Sequence, residues 1–511
     1  MKKHNILKVL GIAFLVIVLL TWFIPAGGYS SGSYASSGTV PFGIFDLTRI
    51  PLIAITNLVQ YSLVILVIGG LYGVLNKTGV YTTFVGNIAK KFKKKESRFL
   101  IISTIVFAIL SSVSGSNFAI FALVPLFVAV ILLLGYNKIT AMLSTIGAML
   151  LGTLAATCNT EVMVSMKQYF STDLASSIVS KIALLVILTA LYVLFVVKTA
   201  KVSKEASKKT VTKKETKEKV VKETTKKGSK KTTTKAESKG KKDVVEVKEE
   251  LQIPLYDAKM TDKKKSVVPL VVCGIVMIVI SLVAMFNWTT LLDIKFFDNI
   301  YESVMGIKIG DYTIVKNILG TLSPFGYWTN YEFIMFILLC IPFIAWLYNV
   351  KFDEAIDGFI NGAKQVLKPA IYVLLATILY AAMFSNSTGE NIFYTITNFF
   401  IGLSKNFNAL VVGAVSFVGG LIFSDFSALV GSIATPLTSA YANATMYPIM
   451  TLIIQSIYGL VMFITPSSML LILGLSYFDI SYKDWFKTIW KYLVKVLIVI
   501  ILVVIVASMF V

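Results

Sequence analysis

Long apolar runs alternate along this chain with short polar interruptions, and two of the runs are interrupted in the same way. Between residues 98 and 134 an apolar stretch, Phe99–Leu110, stops at Ser111-Ser112-Val113-Ser114-Gly115-Ser116-Asn117 and resumes through Val124-Pro125-Leu126. Between 409 and 442 a second stretch, Ala409–Phe423, stops at Ser424-Asp425-Phe426-Ser427 and resumes through Thr435-Pro436-Leu437. A following apolar helix in each half also breaks on small polar residues, at Ala156-Thr157-Cys158-Asn159-Thr160 and at Thr465-Pro466-Ser467-Ser468. A single offset lays Pro125 on Pro436, Ser114 on Asp425 and Thr157 on Ser468. Paired interruptions at corresponding places in two halves predict an internal repeat, and they point to the midplane site of a secondary transporter.

The other runs are long enough to cross a bilayer, which takes about 20 apolar residues. They predict nine spanning helices, at 6–24, 52–76, 139–157, 177–197, 267–286, 331–348, 369–385, 447–465 and 486–510. Stretches 98–134 and 409–442 are each too long and too broken for one helix and are expected to be re-entrant hairpins. Stretches 79–95 and 351–367 place apolar residues at helical spacing on one face, which predicts interfacial helices. Residues 391–403 are expected along the outer surface. The expected fold class is an all-α polytopic membrane protein of nine spanning helices and two re-entrant hairpins in an inverted repeat. Its first membrane repeat is 1–197 and its second is 331–511. A Lys-rich segment, 198–266, and a linking helix with an outer segment, 267–330, join them.

Charge changes the picture in one place. The chain carries a net charge of +21 among its 511 residues, and much of the excess lies between Lys198 and Lys265. That stretch is Lys, Thr, Glu, Ser and Val with almost no aromatic residue, so it reads as a disordered tether, not a nucleic-acid surface. Basic loops stay on the cytoplasmic side, which places the tether and the N-terminus there. Reading 98–134 as a hairpin satisfies this rule, whereas a straight crossing would put the tether outside. The N-terminal apolar run continues through Thr21-Trp22-Phe23-Ile24 and reads as a retained first helix, not a signal peptide. A single histidine, His4, and three cysteines without ligand spacing argue against a His- or Cys-based metal centre or catalytic site. The sequence is not expected to be an enzyme.

The interruptions carry the candidate chemistry. Unwound backbone at membrane depth is tolerated where it is buried in protein or lines a wet cavity. Free N–H groups at a half-helix N-terminus suit a carboxylate. Hydroxyl, amide and carbonyl oxygens suit sodium. The candidate binding residues are Ser114, Gly115, Ser116, Asn117, Thr157, Asn159, Thr160 and Glu161 in the first half. In the second they are Ser424, Asp425, Ser427, Pro466, Ser467 and Ser468. Gly115 allows a tight tip, and Asp425 is an ionisable group at a midplane break, which is functional by default. No cofactor is expected, but coupling to sodium at these residues, or to protons, is.

Three stretches resemble the YfcC-like carriers, relatives of the dicarboxylate carriers in the ion-transporter superfamily. They are Leu20-Thr21-Trp22-Phe23-Ile24-Pro25-Ala26-Gly27-Gly28-Tyr29, Asp357-Gly358-Phe359-Ile360-Asn361-Gly362-Ala363-Lys364, and the segment from Pro436-Leu437 through Thr465-Pro466-Ser467-Ser468 to Leu473-Gly474, Tyr482 and Trp485. The resemblance implies a scaffold and a moving transport domain, a homodimer formed through the scaffold, and a place in the bacterial cell membrane. It implies solutes such as dicarboxylates, short-chain acids or amino acids. It also implies acidic residues at the first tip, where this chain has Ser116 and Asn117. The expected function is therefore ion-coupled secondary transport of a small carboxylate-bearing solute. The rivals are an arginine–ornithine type exchanger and, in another class, a passive channel.

Overall fold

The computed structural model describes residues 5–173, 175–201, 253–262, 264–384 and 389–510. The long elements run α1 (Asn5–Phe23), the strands β1 (Ala26–Ser30) and β2 (Ser33–Gly38), α2 (Asp46–Thr78), α3 (Val80–Phe92), α4 (Glu96–Ser114), α5 (Asn117–Leu133) and α6 (Lys138–Leu154). There follow α7 (Thr160–Phe170), α8 (Ile178–Thr199), α9 (Val268–Met285), α10 (Asn330–Leu347), α11 (Phe352–Met383) and α12 (Ile392–Ile401). The chain ends with α13 (Ala409–Ile422), α14 (Phe426–Ala440), α15 (Tyr447–Met462), α16 (Met469–Tyr477) and α17 (Tyr482–Ser508). It is an all-α polytopic membrane protein, and nine helices among the described residues are long and apolar enough to span.

That number agrees with the expected one, but the set differs. The first arm of the first hairpin, α4, qualifies by length, whereas α6 falls among the shorter apolar helices. A π turn at Leu143–Gly147 interrupts α6.

Both interrupted stretches fold back on themselves. Phe99 and Phe107 of α4 each pack a ring on Phe127 of α5, at centroid distances of 5.6 and 5.0 Å. In the second stretch Phe407 and Tyr441 close the base at 5.9 Å. The 33 residues of α2 span about 50 Å at 1.5 Å per residue, and the two hairpins meet this helix from opposite ends. At its C-terminal end lie α3, residues 253–262 and the base of the first hairpin, where Phe92 stacks edge-on against Phe99. At the other end lies the β-hairpin, against which the second hairpin's base is set: a Cβ on Gly32 would fall 3.3 Å from Cβ of Ser439. Asn391 pairs with Gly27 on the same side.

Two expectations are corrected, and a third stretch proves regular. The stretch 351–367 is not a separate interfacial helix, because α11 runs on through Pro369, which is buried against its neighbours. Its amphipathic pattern arises because one face packs on α2 through glycines. Gly69 and Gly73 of α2 meet Gly358 and Gly362 of α11 so closely that a Cβ on Gly73 would stand 3.0 Å from Cα of Gly362. Small residues at such spacing let two helix backbones touch. Next, the Gly/Ser-rich stretch after α1 is a β-hairpin whose turn, Ser31-Gly32, has φ of 48° and 83°. Lastly, the end of the Lys-rich segment is built into the protein. Asn76 donates to the Leu255 carbonyl (3.0 Å) and accepts from the Asp257 amide (3.1 Å), while the Leu255 amide donates to Gln365 (3.0 Å). Thr82 also donates to the Met260 carbonyl. Residues 202–252, where the tether was expected, lie outside the described residues.

Candidate functional site

A cavity of about 480 Å³ lies where the two tips meet. The first tip contributes Ser114, Gly115, Ser116 and Asn117, and the second contributes Ser424 and Asp425. The broken helices contribute Asn159, Thr160 and Glu161 from one half and Ser468 from the other. The remaining four candidates stand one layer back. Thr157 is buried against Ser112, its amide donating to the Ser112 carbonyl at 3.0 Å. Ser427 shares a hydrogen bond with Ser165 (2.7 Å). Ser467 donates to the Gly420 carbonyl (3.1 Å), beside Pro466.

Local sequence explains each tip. Gly115 has φ of 73°, and a Cβ there would fall 2.7 Å from Nδ2 of Asn159, so a side chain would push the tip off the broken helix. Asn117 bridges two elements: its Oδ1 accepts from Ser111 at 2.7 Å and its Nδ2 donates to Thr153 of α6 at 3.1 Å. Three of the helices that begin at the cavity are capped by a candidate residue. Asn159 accepts from the Val162 amide (3.1 Å) at the start of α7. Asp425 accepts from Ala428 (2.9 Å) at α14, and Ser468 from Leu471 (3.3 Å) at α16. Such caps take over an unpaired amide of the first turn, and all three positive helix ends face the same space.

The two halves are also joined directly. Oε1 of Glu161, from the first half, accepts the Phe426 amide of the second at 3.0 Å. Both carboxylates therefore sit at the N-terminus of α14. Glu161 is exposed into the cavity, and Asp425 is half-buried. Tyr61 of α2 donates to Oδ2 of Asp425 at 3.5 Å. No Lys or Arg lines the cavity among the described residues.

Several lining residues were not expected from sequence. Gln60 and Tyr61 come from α2, Tyr458 from α15, and Trp328, Thr329, Asn330 and Tyr331 from the entry to α10. The segment after α9 is fastened beside them, since the Asn287 amide donates to Thr160 (3.3 Å) and Lys167 donates to the Thr290 carbonyl (2.8 Å). A glutamine supports the first break from behind: Gln455 of α15 donates to the Ala156 carbonyl at 2.7 Å. Only tertiary structure brings these groups to the site.

Helices long and apolar enough to span, two stretches that fold back on themselves and a polar cavity between their tips suit a membrane carrier. The model of one such family, the C4-dicarboxylate anaerobic carriers (DcuC), matches residues 29–509. The chain belongs to that family, which is one of transporters and not of enzymes. No curated protein matches the chain.

Proposed function

We propose that this protein is an ion-coupled secondary carrier of a small carboxylate-bearing solute, bound between the two tips. The observation that supports this reading is the single cavity lined by both tips and three helix N-termini. Helix N-termini suit a carboxylate, and at these ends the amides of Val162, Phe426, Ala428 and Leu471 already bond protein oxygens. Glu161 already accepts the Phe426 amide, so a solute carboxylate would address α7, α16 or, with Glu161 displaced, that amide of α14.

The acids decide what else must enter. Two carboxylates with no lining Lys or Arg disfavour a bare dianion by like-charge repulsion. A C4-dicarboxylate, the solute in the family's description, would bring protons or sodium with it. The second break offers oxygens for sodium. The Ser424 hydroxyl is buried with no hydrogen-bond partner, while Thr465 donates to the Leu421 carbonyl at 3.1 Å and Ser467 to that of Gly420. An amino acid would bring its own ammonium, and the same two acids favour the second reading, exchange of basic amino acids of the arginine–ornithine type. Within the family this reading places the chain near the YfcC-like carriers, in the cell membrane, with α2 and α11 in a scaffold past which the hairpins move.

The test is uptake into proteoliposomes of labelled dicarboxylates and amino acids, with and without a sodium gradient. Asp425→Ala and Asn117→Ala are expected to abolish uptake while the protein still reaches the membrane. Unchanged uptake in either variant would remove that residue from the site.

A further inference from the structure

Lys181 is the one lysine of α8 that faces inward. The buried residues of that helix are Lys181, Leu184, Leu188, Tyr192 and Val196, a stripe at helical spacing, so the lysine takes a core position. It lies in the first turn, where a lysine ordinarily extends its ammonium to the interface. Instead it is 2% exposed. Its ammonium meets the thioether of Met163 on α7 at 3.4 Å, and Cys158, inside the first break, is within its electrostatic reach. No carboxylate pairs with it among the described residues. Burying an unpaired charge costs several kcal/mol, so something in its surroundings must offset that cost. The C-terminus of α6, a partial negative charge, ends at that break.

The two breaks are unlike in this respect. The offset that lays Pro125 on Pro436 lays Lys181 on Tyr492, a neutral residue whose hydroxyl donates to the Leu188 carbonyl at 3.3 Å. At the first break the hydroxyls are satisfied from within: Ser112 donates to the Ala155 carbonyl at 2.6 Å and lies 3.1 Å from the Thr157 hydroxyl. At the second break Thr465 and Ser467 are likewise bonded, but the Ser424 hydroxyl of the adjoining tip, at the place where the offset puts Val113, is buried and has no partner among the described residues.

We propose that Lys181 is a built-in cation of the first break, holding by a tethered ammonium the place that an exchangeable cation would otherwise take. The carrier then binds an exchangeable cation at the second break alone. This rests on the carrier reading above and goes beyond it, since it assigns unequal roles to two sites related by the repeat.

The experiment uses the full chain in proteoliposomes, with sodium as the probe. Lys181→Met keeps the length and apolar stem but removes the charge. It is expected to lose uptake about tenfold in low sodium, a coupling of ordinary size, and to regain it as sodium fills the vacated break. Lys181→Arg is expected to retain uptake with the wild-type sodium dependence. In the wild type, charge movement per solute should fit no more than one sodium. Lys181→Met with wild-type rate and sodium dependence would overturn the proposal, as would two sodium ions per solute in the wild type. If Lys181→Met fails to insert, the wild-type count and the arginine variant still decide. Asp425→Ala tests the solute site separately, so the failure of one reading is distinguishable from the failure of the other.

Discussion

Alanine at Gly73 should separate the two helices that frame the carrier. A Cβ there would lie 2.7 Å from the Gly358 carbonyl carbon and 3.0 Å from Cα of Gly362, with the Gly358 oxygen nearer still. Comfortable carbon contacts begin at about 3.5 Å. The obstruction is backbone on both sides, so no rotamer change relieves it, and α2 and α11 must part by roughly 1 Å. Overpacking of this kind costs about 1–3 kcal/mol, and rigid neighbours on both helices place Gly73→Ala at the upper end. Gly274 of α9 is the matched control, because nothing lies within 4 Å of a Cβ there. Both substitutions gain the same helix propensity of about 1 kcal/mol, so the difference between them isolates the contact. Thermal denaturation of the purified protein in detergent should show Gly73→Ala melting lower than Gly274→Ala, by an amount on the order of 5 °C. Equal melting of the two variants would refute the backbone crossing.

Two further outcomes follow from hydrogen bonds. Glu161→Gln keeps an oxygen that can accept from Phe426 but removes a charge, so uptake of a basic amino acid should show KM raised by at least about tenfold while the tips stay joined; unchanged KM would take Glu161 out of the solute's charge balance. Asn76→Ala removes two of the bonds that hold residues 255–257, each worth about 1 kcal/mol, and should make protease cleavage near Leu255 faster; cleavage at the wild-type rate would show that Gln365 and Thr82 suffice.

Much of the architecture was legible because a bilayer permits few solutions. An apolar run cut by Ser-Gly-Ser-Asn has to turn or to hide its backbone, and a second run cut at the matching place repeats the argument. The amphipathic spacing of 351–367 misled because the same pattern serves an interfacial helix and one packed on a neighbour, and α11 runs on through Pro369, buried against α2. The glycines that make this packing possible are written plainly as Gly69-x-x-x-Gly73 and Gly358-x-x-x-Gly362, a spacing that signals close helix crossing, although only the second pair lies in a stretch that carries the family resemblance. Residues 253–262 were hidden by the lysine-rich composition next to them. The placing of Trp328 to Tyr331, Tyr61 and Gln455 has no local signature at all. Each reaches the site from an element distant in sequence, and no periodicity encodes which distant elements meet.

Peptide dipoles do not titrate. The positive ends of α7, α14 and α16 keep their strength at every pH, whereas Glu161 and Asp425 lose their charge when they take up protons. As the medium turns acid, the balance of the field inside the cavity swings toward attraction of anions, and as it turns alkaline it swings back. If solute binds in this cavity as proposed, an unchanging backbone and two protonatable side chains would make its preference between negative and positive guests follow the acidity of the solution that fills it.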